Sequence, residues 1–331
     1  MKNKNLEKNK KKFNYDFRGK TVLVVGASRG IGFGIAKSYV KLGADLMICS
    51  KNLSKIKKSY QKLNKFKKKN QQLFYTSVDV SIKSEVKSLI RLTLKKLSKI
   101  DIIISNAGIY GPRGSIESVS WAQWVNTIKV NLFGPIFLCR EIIPYFKKNN
   151  KGKIIQLSGG GVAGPLPRIS GYAISKIAVA RFMENLSEEV KDFSIDINVV
   201  APGAINTDML EEIIKEGPKN IGDYYYKKAL KQKKLGGSSL KKACDLILFL
   251  SSEHSNGITG KILSALWDNW KILSRYKKIL RNSDIYTLKR INPKDRGFSW
   301  GAPKSKIIYD TLFSPFNKKK FFEKLNLLKN K

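Results

Sequence analysis

Acidic residues and histidine are what this chain is short of. Across 331 residues, 25 Asp and Glu face 64 Lys and Arg, and His254 is the single histidine. One histidine argues against a Ser-His-Asp triad and against a histidine-rich metal centre. Cysteine is scarce too: Cys49, Cys139 and Cys244 lie far apart and match no metal spacing, so buried reduced thiols and no metal are expected. Long apolar runs are missing. The longest, such as "KTVLVVGAS" and "IDIIISNAG", are strand-length and fall well short of the ~20 residues that span a bilayer. The basic start "MKNKNLEKNKKKFNYDFRG" has no apolar core behind it, so a secretory signal is not expected and a soluble cytoplasmic protein is.

The excess charge of +39 raises polyanions as partners. Lysine carries most of it, whereas arginine is the residue favoured for phosphate forks. The lysines gather in the tail before Phe13, in the segment "KNLSKIKKSYQKLNKFKKKN", where they occupy every face as on a solvated helix, and in the C-terminal "FNKKKFFEKLNLLKNK". No stacking aromatics or zinc knuckles accompany them. Specific nucleic-acid binding is therefore not expected, only weak salt-sensitive attraction.

From Lys20 to about Ser264, short β-branched runs alternate with amphipathic stretches, the pattern of repeated β-α units. Seven runs, at 21–25, 45–49, 73–78, 101–105, 153–158, 195–200 and 261–265, predict an α/β fold with a doubly wound, parallel, seven-stranded Rossmann-like sheet. The division expected is a basic N-terminal tail over 1–17, a nucleotide-binding catalytic domain over 18–265 and an irregular extension over 266–331. In that extension Trp267, Trp270, Tyr286 and Trp300 read as packing anchors.

The first strand runs into "GASRGIGFGIAKSYVKLG", which spaces Gly26, Gly30 and Gly32 between a strand and a helix and sets Ser28, Arg29 and Ile31 among them. Glycines there let the chain turn sharply and bring backbone amides to a pyrophosphate at the positive end of the helix. At the end of the second strand, where NAD sites commonly hold a carboxylate, stand Cys49, Ser50 and Lys51. Lys51 and Arg29 favour the 2′-phosphate of NADP, with NAD the alternative.

Two Tyr-x-x-x-Lys pairs occur. Tyr224 with Lys228 follows no strand or glycine loop and reads as surface. Tyr172 and Lys176, in "SGYAISK", face the same side of a helix. A phenol with pKa near 10 is a poor proton shuttle at neutral pH, and correcting that takes roughly 4 kcal/mol of differential stabilisation, which a nearby ammonium helps to supply.

Taken in order, the glycine pattern, "SNAG" (105–108), "VNLFG" around Asn131, a serine before Tyr172 and Lys176, and "PGAINT" (202–207) resemble the short-chain dehydrogenase/reductase family, over about residues 18 to 264. The resemblance implies that Tyr172 is the general acid, that Lys176 holds the nicotinamide ribose, and that Asn131 supports a water relaying protons to that lysine. It also implies that Asn106, Ala107 and Gly108 line the cofactor, that Asp79 and Val80 meet the adenine, and that Pro202, Gly203 and Thr207 contact the nicotinamide amide region. A homodimer or homotetramer built through the helices of Asn131 and Tyr172 is the implied assembly.

One position departs from the pattern. Ser158 stands 14 residues before Tyr172, while the family places its serine 13 before, where Gly159 is found. A one-residue adjustment of the glycine-rich loop would bring Ser158 into place; a site lacking its serine and a role for Ser170 are the alternatives. The substrate pocket is expected under the lysine-rich stretch 208–237, which raises an anionic ketone or secondary alcohol, 3-oxoacyl or sugar-derived, as the substrate. A noncatalytic dinucleotide-binding scaffold of the same fold is the rival.

Overall fold

The β-branched runs become strands because each presents apolar residues to both faces, as a sheet covered by helices on two sides requires. In the computed structural model, residues 13–298 are described. Seven parallel strands are ordered β3-β2-β1-β4-β5-β6-β7: β1 Thr21–Val25, β2 Asp45–Ser50, β3 Leu73–Ser77, β4 Ile102–Ser105, β5 Gly152–Leu157, β6 Ile195–Ala201 and β7 Lys261–Ser264. Expected and observed strand ends agree to within a residue.

Val22 and Val24 pack on one side of β1, with Ile35, Tyr39 and Phe249. Leu23 and Val25 pack on the other, with Leu89, Ile142 and Val179. The helices that bring these side chains are α1 Gly30–Lys41, α2 Leu53–Asn64, α3 Lys83–Leu97, α4 Trp121–Ile128, α5 Gly134–Lys148 and α6 Ser170–Glu189. They are followed by α7 Asp208–Ile221, α8 Asp223–Leu235, α9 Leu240–Ser251 and the short α10 Lys277–Arg281. Strand order reverses between β1 and β4, and in such sheets the crevice outside the carboxyl ends at that point is where ligands bind.

Three expectations need correction. The lysine-rich helix is not wholly solvated: α2 buries Ile56, Ser59 and Leu63, a stripe at three- and four-residue spacing that the lysine count obscures. Trp267 is 87% exposed among the described residues rather than packed, whereas Trp270 is buried against Phe249 with ring centroids 5.6 Å apart; Trp300 lies outside the described residues. Phe13, Tyr15 and Phe17, from the segment read as a tail, pack on the core, and His254 joins them with its ring 4.9 Å from Phe13. All three cysteines are buried and free, and no cluster able to hold a metal occurs among the described residues. No described helix is long and apolar enough to cross a membrane.

Candidate active site

The glycine loop begins where β1 ends. Gly26 has φ +84°, and a Cβ there would lie 2.6 Å from the Ala107 amide nitrogen, so only glycine fits. Its own amide donates to Cys49 O at 2.8 Å, and its carbonyl accepts from Asn106 Nδ2 at 2.8 Å, which ties the loop to β2 and to the end of β4. Ser28 O accepts from Ser59 Oγ. A Cβ on Gly32 would strike Gly26 O at 2.1 Å, and one on Gly30 would meet Thr207 Cγ2 at 3.3 Å. Arg29 precedes α1, no side chain caps that helix, and its first turn holds no acidic residue. Free amides, a close-set backbone and an uncapped positive helix end fit a dinucleotide pyrophosphate.

The two cations expected to favour a 2′-phosphate both have carboxylate partners. Lys51 Nζ lies 2.6 Å from Asp79 Oδ2. Burial alone would raise the Asp79 carboxyl, but bonds from Lys51 and Ser81 outweigh it and hold it below the usual range. Arg29 reaches Asp208 at 2.7 Å and Glu212 at 3.1 Å. Val80, next to Asp79, is buried.

Asn131 sits in a π-turn, Lys129–Phe133, inserted between α4 and α5. Such insertions are frequent at functional sites. Fully buried, Asn131 donates from Nδ2 to Ile109 O at 2.8 Å and to Ser175 Oγ at 3.0 Å, while its Oδ1 accepts from the Ile109 amide at 2.9 Å. It thus clamps the loop after β4 to α6. A Cβ at Gly108 would be 3.2 Å from Asn131 Oδ1 and 3.4 Å from Lys176 Nζ, so the three groups share one corner of the site.

On α6, Tyr172 and Lys176 are 7% and 4% exposed. Lys176 Nζ donates to Leu157 O at 3.3 Å and stands 5.6 Å from the Tyr172 ring centroid. Burial pushes the Lys176 ammonium down to about 8. The Tyr172 phenol is raised rather than lowered: burial dominates, and the neighbouring Tyr225 adds to it. The expected help from Lys176 is not among the causes of the shift, and both the removal of water and Tyr225 push the phenol the other way.

Ser158 does not reach the phenol. Its amide still makes the ladder bond to Val200 O at 2.8 Å, so β5 keeps its register, and strand alternation turns the side chain away from the direction Gly159 faces. Its hydroxyl is buried without a hydrogen-bond partner among the described residues. A Cβ on Gly159 would lie 2.0 Å from Tyr172 Oη, so the residue against the phenol oxygen is Gly159. Ser170, the other candidate, accepts from Trp124 Nε1 at 3.1 Å. The decoy tyrosine Tyr224 is exposed on α8.

Pro202, Gly203 and Thr207 follow β6, with Thr207 just ahead of α7. Helices α7 and α8 form a roof whose Leu210, Ile213, Tyr225 and Tyr226 cluster with Tyr172. Sequence reasoning did not single out Tyr110, whose ring lies 4.6 Å from that of Tyr172, or Arg113, whose guanidinium stands 5.5 Å from the Tyr110 ring. Arg113 donates to Glu216 Oε1 at 2.9 Å and to Glu212 Oε2 at 3.3 Å. Their one local signal is position in the loop directly after "SNAG".

A buried phenol, a buried ammonium and an uncapped glycine loop thus meet at the carboxyl ends of the strands. The short chain dehydrogenase family profile matches residues 20–217. The chain belongs to that family. It is 33% identical over 247 residues to a 3-oxoacyl-[acyl-carrier-protein] reductase of Chlamydia trachomatis, an alignment covering 74% of this chain and 95% of the relative. To glucose 1-dehydrogenase of Gluconobacter oxydans it is 32% identical over 250 residues, 75% of this chain and 90% of that one. Among solved structures, levodione reductase superposes with a TM-score of 0.69 at 23% identity, covering 78% of this chain and 99% of that one. Like other short-chain dehydrogenases, the protein is an NAD(P)-dependent oxidoreductase working between a ketone and a secondary alcohol.

Proposed function

We propose that this short-chain dehydrogenase is an NADP-preferring reductase of a ketone, 3-oxoacyl or sugar-derived, with Tyr172, Lys176 and Asn131 as its working residues and Gly159 where a serine is usual. The observation that carries the reading is the convergence of Tyr172, Lys176 and Asn131 beside the glycine loop. A bound nicotinamide would supply the hydride. Tyr172 donates its phenolic proton to the carbonyl oxygen as the alkoxide forms, and Lys176 stabilises the phenolate left behind. Asn131 fixes the backbone at Ile109 and, through Ser175, the helix that carries both residues. In the reverse direction the phenolate takes the proton of the alcohol.

Residues 26–32, Lys51, Asp79, Val80, 106–108, Pro202, Gly203 and Thr207 would hold the dinucleotide. Preference for NADP is supported by Lys51 and Arg29 and by the lack of a carboxylate at the end of β2 itself. Lys215, Lys219, Lys227, Lys228 and Lys231 lie exposed on the roof, which suits an acidic carrier docked outside the pocket better than a small anion inside it. Exposed Trp121, Phe133, Ile174 and Ile177 on α4, α6 and the π-turn support a homodimer or homotetramer through that face, with residues 18–265 as the catalytic domain of a cytoplasmic enzyme. Fluorescence titration at physiological salt should show tight NADPH binding and weaker NADH binding. Equal affinities would remove the NADP preference, and binding of neither would leave a scaffold with the same fold.

A further inference from the structure

One roof carboxylate is shared between two arginines from opposite sides of the site. Glu212 accepts from Arg29 Nη2 at 3.1 Å through Oε1 and from Arg113 Nη2 at 3.3 Å through Oε2. Asp208 adds a 2.7 Å bond to Arg29, and Glu216 a 2.9 Å bond to Arg113. The two ends differ. Arg113 has a side chain only 11% exposed and stacks over Tyr110, whereas the side chains of Arg29 and Asp208 are 46% and 63% exposed. Exposed ion pairs are weak and easily exchanged; the sheltered end is the fixed one.

Arg29 also stands directly before the uncapped first turn of α1, where the free amides and the helix dipole favour an anion. Its guanidinium therefore has two sets of acceptors within reach: the carboxylates of α7 and the phosphates of a nucleotide seated on the loop. We propose that Asp208 and Glu212 act as an internal competitor for the cofactor phosphates at Arg29, so that cofactor affinity is set partly by the roof. This rests on the dinucleotide reading above. Glu212 is then a positioning residue that acts through Arg29. Because both processes draw on one guanidinium, the coupling is reciprocal: whatever weakens the strap between Arg29 and α7 tightens nucleotide binding.

The test is a double-mutant cycle on the full chain, with NADPH affinity read by fluorescence titration at two salt concentrations. D208N/E212Q should bind NADPH about three- to tenfold more tightly than wild type, the range expected for removing two exposed competing pairs. D208N alone, which leaves the contact between Glu212 and Arg113 in place, should give a smaller gain of the same sign. In an R29A background the gain should vanish. No gain in either variant, or an undiminished gain without Arg29, would overturn the proposal, since the second result is what a general change in surface charge produces. Wild type that binds neither dinucleotide would sink the functional reading and this inference with it, a result distinct from binding without coupling.

Discussion

Replacing Lys176 by Met should stabilise the nucleotide-free fold at neutral pH while abolishing turnover. Lys176 is 4% exposed, and among the described residues its one hydrogen bond is the 3.3 Å contact with Leu157 O. Burial pushes its pKa from 10.5 to about 8, which corresponds to about 3 kcal/mol of unfavourable differential interaction for the charged form. The sign follows from proton counts. Between about pH 8 and 10.5 the folded protein holds fewer protons at this site than the unfolded chain, so its contribution to stability rises with pH across that window. Below the folded value both states are protonated and the whole penalty is present. Methionine fills similar space without charge, and the Leu157 carbonyl then loses its donor at a cost of about 1 kcal/mol. A net gain of about 1–3 kcal/mol at pH 7 is expected, shrinking above pH 8 and gone near pH 10. Urea unfolding at pH 7 and pH 9.5 measures it. Destabilisation at pH 7, or an equal increment at both pH values, would refute the reasoning.

Gly159→Ala should lower kcat by about two orders of magnitude with little change in NADPH affinity, because the phenol oxygen must retreat by about 1.4 Å from a Cβ set 2.0 Å away. Steady-state kinetics beside a nucleotide titration separates the two effects, and wild-type rates in the variant would show that the phenol does not work from this position. Ser158→Ala should keep nearly full activity, since the buried Ser158 hydroxyl makes no hydrogen bond to Tyr172 or to any other described residue; a hundredfold loss in kcat would restore the serine role to Ser158.

What the sequence makes legible here is local. β1 and the glycine loop are adjacent in the chain, and Tyr172 and Lys176 are one helical turn apart, so spacing alone sets their relation. Ser158 shows where that ends: whether it or Gly159 faces the phenol depends on how far β5 keeps its register with β6, a pairing between strands some 40 residues apart in sequence. The shared carboxylate lies further from reach, since Glu212 is 183 residues from Arg29 and 99 from Arg113. Lys51 and Arg29 were legible as cations near the glycine loop, but their pairing with Asp79, Asp208 and Glu212 was not. Tyr225 was masked by its neighbour Tyr224, which has the motif spacing but points to solvent; one residue along the helix, a turn of about 100°, brings Tyr225 to the cluster around Tyr172. Burial also reversed a sign. Lys176 was expected to lower the Tyr172 phenol, and desolvation raises it instead.

The measurement that bears most directly on the central claim is single-turnover oxidation of bound NADPH by a 3-oxoacyl or sugar-derived ketone, comparing wild type with Tyr172→Phe. Wild type should consume the cofactor, and the variant should bind NADPH as tightly but react at least a hundredfold more slowly, within the range general-acid catalysis supplies. Equal rates in the two proteins would contradict the assignment of Tyr172 as the proton donor.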